Sequence, residues 1–352
     1  MKKNIIKIAS LLLIASLSFF SCSKNNSKKV ELRKPSKNID STTWINNLID
    51  GKAAAKEQNK KIILFVSVDD SDTTSAKYKT ELFNTEDFLK KATENYVLVN
   101  IDLSSSIFEQ AQTNPDASEN DQKKAQALRE RLEENIRDVT LYNVNKTPVF
   151  LLLNSDGYVV SELTFPVEEN SSITMDIFDS TLQANAETIS VFDNVLESTT
   201  SSNKEDKIAA INRLFEITSE EYHYLLKSKA EEYISLDKNN ETGKVGDYVL
   251  SITNANAVEA FLRQDPEGAS VEFTAAAENK FLSPEQSQQC YYTAGYLFSQ
   301  SQSATNEKII EYLQKAYDAA PESDYAETIK TMISAFAEQQ AEEIQSETQT
   351  QE

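Results

Sequence analysis

The chain has 352 residues, 39% apolar and 9% aromatic, enough for two domains with real cores and too apolar for global disorder. Its 35 Lys and Arg stand against 56 Asp and Glu, a net charge of −21, which works against nucleic acid and anionic lipid surfaces as partners. Only two cysteines, Cys22 and Cys290, are present, so no disulfide framework holds the cores.

At the N-terminus Lys2, Lys3 and Lys7 form a charged start, Ile8 to Phe20 an apolar segment, and Ser21-Cys22 its close. Residues 1–21 have the layout of a secretory signal peptide, too short for a comfortable membrane span. The cysteine at its end resembles the one in a bacterial lipobox, with Phe19 and Phe20 where that motif carries Leu and a small residue. The resemblance implies lipidation at Cys22, a lipid anchor in a membrane and a place in the bacterial cell envelope, facing the periplasm or the surface. The competing reading is ordinary secretion with Cys22 as a bystander. Residues 22–40, polar and basic, read as a flexible tether.

Ser41-Thr42-Thr43 offers N-caps for a first helix that carries Trp44, Ile45, Leu48 and Ile49 at helical spacing. Ile62 to Val68 is a continuous apolar run rich in β-branched residues, the pattern of a central parallel strand. A polar turn and a helix to Phe83 follow. Thr85 to Thr93 is a further short helix, and Tyr96 to Asp102 a second strand. Ser104 to Asn120 loses the rhythm and is expected to be an inserted loop. Asp121 to Arg137 is helical, with Ala125, Leu128, Leu132 and Ile136 along one face. Val149 to Leu153, a turn at Asn154-Ser155-Asp156-Gly157, and Tyr158 to Phe165 form a hairpin. Ser171 to Gln183 is expected to be the closing helix.

Beyond about Ala186 no strand is evident. Amphipathic helices are expected at Glu205–Ile217, Ser219–Leu236, Gly246–Leu262, Pro284–Gln300, Asn306–Ala319 and Tyr325–Ile344, with Ser198 to Asn203 as a linker. The spacing of Gly295, Ile309-Ile310, Ala316 and Pro321 resembles one tetratricopeptide repeat, with no clean second copy. The domain expectation is therefore an α/β domain over 41–185 and an all-α, TPR-like region over 204–344.

Strand, turn, helix, strand, helix, then Thr147-Pro148 and a hairpin is the order of the thioredoxin fold. Trp44, Asn59-Lys60-Lys61, Leu82-Phe83, Tyr142-Asn143-Val144 and Asp156-Gly157 resemble the exported thiol–disulfide members of that family. The resemblance implies a cis-proline at Pro148, with Thr147 and Pro148 at the edge of a peptide groove. It also implies that the family's two catalytic cysteines fall at Asp72 and Ser75, giving Asp72-Thr73-Thr74-Ser75 in place of Cys-x-x-Cys. The family's buried carboxylate falls at Val66. Exchange of disulfides needs a thiolate nucleophile and a resolving thiol. A carboxylate and a hydroxyl supply neither, so the expectation is a redox-inactive protein with no catalytic residues and no cofactor.

Asp69, Asp70 and Asp72 at a helix start suit the dipole as caps, and they lack the Gly and distal Glu of a calcium loop, so no metal is expected. The single histidine, His223, is expected to be a packed or surface residue, and Cys290 a buried small apolar one. Three functions stay open. The favoured one is a lipid-tethered binding or scaffold module that holds a protein partner in the envelope. The others are a structural or surface-exposed lipoprotein, and an enzyme of unrecognised type using Asp72 or Ser75.

Overall fold

The computed structural model describes residues 33–68, 73–112, 114, 116–166 and 172–349. The chain divides between Tyr222 and His223 into two compact units. The expected signal peptide and Cys22 lie outside the described residues, as do Asp69, Asp70 and Asp72.

The first unit is built on a four-stranded mixed sheet in the order β2-β1-β3-β4. Strand β1 (Lys61–Ser67) pairs parallel with β2 (Tyr96–Asp102) and antiparallel with β3 (Val149–Leu153), which pairs antiparallel with β4 (Val159–Glu162). Ile62 to Val66 are all but completely buried, because this strand has a neighbour on each side and cover on both faces. The turn into β4 needs Gly157, whose φ is +92°. A Cβ there would also come within 2.8 Å of the Tyr142 hydroxyl, which donates to the Gly157 carbonyl at 2.7 Å.

Helix α1 (Leu48–Gln58) starts later than the sequence pattern predicts. Trp44 is not helical. The backbone of Ile45 instead bridges β2, its N–H donating to Leu98 O and its carbonyl accepting from Asn100 N. Asn47, whose side chain accepts from the Asp50 N–H, caps the helix in place of Ser41 to Thr43. The segment before α1 thus covers part of an edge strand that would otherwise present unpaired backbone.

Helix α2 (Thr73–Tyr78) runs on into a π-helical turn, Lys79–Phe83. Thr85 then caps α3 (Glu86–Asn95) by accepting from Phe88 N. The expected loop at 104–120 contains a short helix, α4 (Ser105–Gln110). Ser118 caps α5 (Glu119–Leu141), two residues earlier and four later than the predicted limits. The closing helix is shorter than expected, α6 (Met175–Ala184), and an unexpected one follows at once, α7 (Ala186–Ser198). Helix α8 (Lys204–Ile217), capped by Asn203, packs on α7 within this first unit, and its Ala210, Ile211, Leu214 and Phe215 are buried.

The predicted single helix at Ser219–Leu236 is two pieces, a 3-10 segment (Glu220–Leu226) and α9 (Lys227–Leu236). Tyr222, Tyr224 and Leu226 are buried at every second position, a pattern that one face of an α-helix cannot supply.

The second unit continues with α10 (Val245–Leu262), α11 (Pro266–Ala277), α12 (Pro284–Ser299), α13 (Asn306–Ala319) and α14 (Ala326–Gln349). From α9 onward each helix packs on the next in sequence. At the α12–α13 contact a Cβ on Gly295 would sit 3.0 Å from the Tyr312 Cβ, so the small residue lets the two helices close up. Helix α11 is absent from the predicted series. No described helix is long and apolar enough to cross a membrane.

Candidate functional site

The site lies where β1 ends. Val66 pairs with Val149, the residue after Pro148, and with Ile101 of β2, so the end of the central strand and Pro148 are brought side by side. The Thr147–Pro148 peptide bond is cis, and both residues are half-buried. Helix α2 begins at Thr73, with Thr74 exposed and Ser75 fully buried. Val66 is also fully buried, with an apolar side chain at the end of the central strand.

Helix α2 is pinned from below by aromatic residues of four elements. The Tyr78 ring lies 4.8 Å from Phe150 and 5.9 Å from Phe165, and its hydroxyl donates to the Phe165 carbonyl at 3.2 Å. Burial pushes the Tyr78 phenol up to about 12, so it stays a neutral donor across the physiological range. Phe83 stacks among Phe65, Phe88 and Phe150, and Trp44 closes the cluster, its ring 5.2 Å from Phe83 and its Nε1–H donating to the Phe83 carbonyl at 3.0 Å. On the π-helical turn Lys79 pairs with Asp102 at 2.9 Å and Glu81 accepts from the Ile173 N–H at 2.7 Å. Of these residues only Trp44 and Phe83 carried a signal in the sequence. Tyr78 and Phe165 lie 87 positions apart and are matched only by the fold.

Among the described residues no group of three or more His, Cys, Asp or Glu is arranged to hold a metal. His223 lies in the second unit, half-buried, its carbonyl accepting from Ser251 Oγ at 3.0 Å. Cys290 is fully buried on α12, and burial pushes its thiol up to about 12, so it presents no thiolate at neutral pH.

One buried charged group of the first unit stands apart from this site. Asp138 of α5 has a buried Oδ2 with no hydrogen-bond partner. Desolvation pushes its carboxyl up to about 6, against the pull of Lys52 and Arg137. Lys52 of α1 is held below its usual range by its own burial, with Asp138 opposing that shift.

Comparison with known proteins agrees with this geometry. Residues 50–164 match a family described as a thioredoxin-like domain. The chain carries a thioredoxin-like domain. The match lies inside the 41–185 span read from the sequence, and it takes in β1 to β4, α2 and Pro148. Residues 244–342 match a second family, described as an uncharacterised protein C-terminal domain, so the thioredoxin-like domain is followed by a helical region with relatives of its own. Over 102 residues the chain is 26% identical to an uncharacterized protein of Treponema pallidum (strain Nichols), an alignment over 29% of this chain and 34% of that protein. The chain thus spans about a third of that relative's length. The solved structure of a DsbH oxidoreductase is 15% identical, covers 48% of this chain and 96% of its own, and superposes with a TM-score of 0.28.

Proposed function

We propose that the protein is a redox-inactive thioredoxin-like lipoprotein of the bacterial envelope, anchored through Cys22, which holds a protein or peptide partner and performs no chemistry on it. What supports this reading is the pair of residues that the resemblance sets at the resolving-thiol and buried-base positions. These are Ser75 and Val66, and both are fully buried. A hydroxyl cannot resolve a mixed disulfide, and Val cannot accept a proton. Cys290, the described cysteine, sits buried in a different unit. What remains at the site is a supported surface: Thr74 is exposed near the start of α2, and exposed Lys146 precedes half-buried Thr147 and Pro148, on strands and a helix fixed by the aromatic cluster. Backbone at the end of a strand can pair with an extended segment of a partner.

Photo-crosslinking in living cells tests this. A photoreactive residue replaces Thr74 or Lys146 in the site, and Gln300 or Gln314 in the helical unit. The reading predicts one discrete adduct from the two site probes. Adducts from the helical probes alone would make the thioredoxin-like domain a spacer and would overturn it.

A further inference from the structure

A second surface lies at the opposite end of the sheet from Pro148. The register Lys61↔Tyr96 sets the first residues of β1 and β2 side by side, while Pro148 follows their far ends. Beside Tyr96, helices α6 and α7 form an open groove of about 660 Å³. Helix α6 is the closing helix of the thioredoxin-like order and Tyr96 lies within the matched residues, so only α7 is an addition on this side.

Its lining is of three kinds. Leu182 and Ile189, half-buried, give an apolar floor. Asp179 and Asp193 are already neutralised, Asp179 by Lys91 and Asp193 by Lys61 at 2.7 Å. Gln183, Ser190 and Asn194 are exposed along the groove, and the half-buried Tyr96 reaches it from β2. The side chains of these four make no hydrogen bond within the described structure.

We infer that this groove binds a neutral polyhydroxylated ligand, a short saccharide. An anion would meet two carboxylates, and a cation would have to displace two lysines from their partners. A sugar hydroxyl both donates and accepts, as do the amides and hydroxyls that line the groove. Each aspartate has lone pairs left over for a ligand hydroxyl, and the aliphatic floor suits the C–H face of a pyranose ring. The inference does not depend on peptide binding at Pro148, because the two surfaces share no residue.

The test is a titration of the isotope-labelled full chain, followed by NMR, with maltotriose, cellotriose and triacetylchitotriose, and with the neutral peptide Gly-Ser-Asn-Ser-Gly. The expected result is that one saccharide saturably shifts the amides of residues 182–194 and of Tyr96. Tyr96→Phe and Asn194→Ala should each weaken it about fivefold, the factor given by one lost hydrogen bond of about 1 kcal/mol. Three results would overturn the inference. One is no shift with any saccharide at tens of millimolar. Another is a response to the peptide alone, which would make this a peptide groove. The third is unchanged saccharide binding in both variants, which would place the sugar elsewhere.

Discussion

Asp138 shows how one buried side chain can make the first unit sensitive to pH. Its carboxyl titrates at about 6 when folded, above the usual value of 3.8, because desolvation of the charged form outweighs the attraction of Lys52 and Arg137. The native state therefore holds this proton over a range where the unfolded chain has released it. Its contribution is full below about pH 4 and falls away as the pH rises through 6. The difference between 3.8 and about 6 amounts to roughly 2–3 kcal/mol. In carbon-detected NMR the Asp138 carboxyl should titrate near 6, and Lys52→Met should move that midpoint upward by removing a nearby cation. A midpoint near 4, or a downward movement in the variant, would contradict the burial argument. Nothing in the sequence marked Asp138. It is one acidic residue among many on a helix, and only the packing around its oxygen distinguishes it.

The legibility of the elements depended on how much of their signal was local. Strands β1, β2 and β3 are apolar runs bounded by turn residues, and all three were read within a residue or so. Trp44 was misplaced because its helical spacing is real, whereas the backbone bond from Ile45 to β2 is a long-range gain that spacing cannot show. The π-helical turn at Lys79–Phe83 carries no sequence signature, and it turns Phe83 into the aromatic cluster. Helix α11 is the instructive omission. Its apolar content is mainly small, Ala269, Ala276 and Ala277 around a single Phe273, so the amphipathic pattern is faint. Its start signal was nevertheless present, in Asp265 followed by Pro266 at the first helical position. The Asp265 carboxylate accepts from Gly268 N at 2.7 Å, so Asp265→Ala should lower stability by about 1 kcal/mol. Chemical denaturation of the full chain, followed by the protection of α11 amides from exchange, would show it. Unchanged protection would mean that neighbouring helices alone hold α11 in place.

At the scale of the molecule, the change from mixed α/β to helical character was readable, because apolar runs of strand length stop after Phe165. The division of the chain was not. The helical series was expected to begin at residue 204, yet α8 packs with α7 in the first unit and the chain divides between Tyr222 and His223. Which helix joins which unit depends on the faces buried, and the faces of α7 and α8 are alike in composition to those beyond. The thioredoxin-like domain was legible through the order of its parts, whereas the replacement of its reaction centre at Asp72, Ser75 and Val66 is our proposal and rests on the resemblance. Insulin reduction with a thiol donor asks whether fold and chemistry have parted here, as we propose. The native chain should show no turnover. Asp72→Cys with Ser75→Cys should remain far below the rate of an ordinary thioredoxin while Val66 is retained, because the buried base is still missing. Turnover by the native chain, or an ordinary thioredoxin rate from the two-cysteine variant, would contradict it.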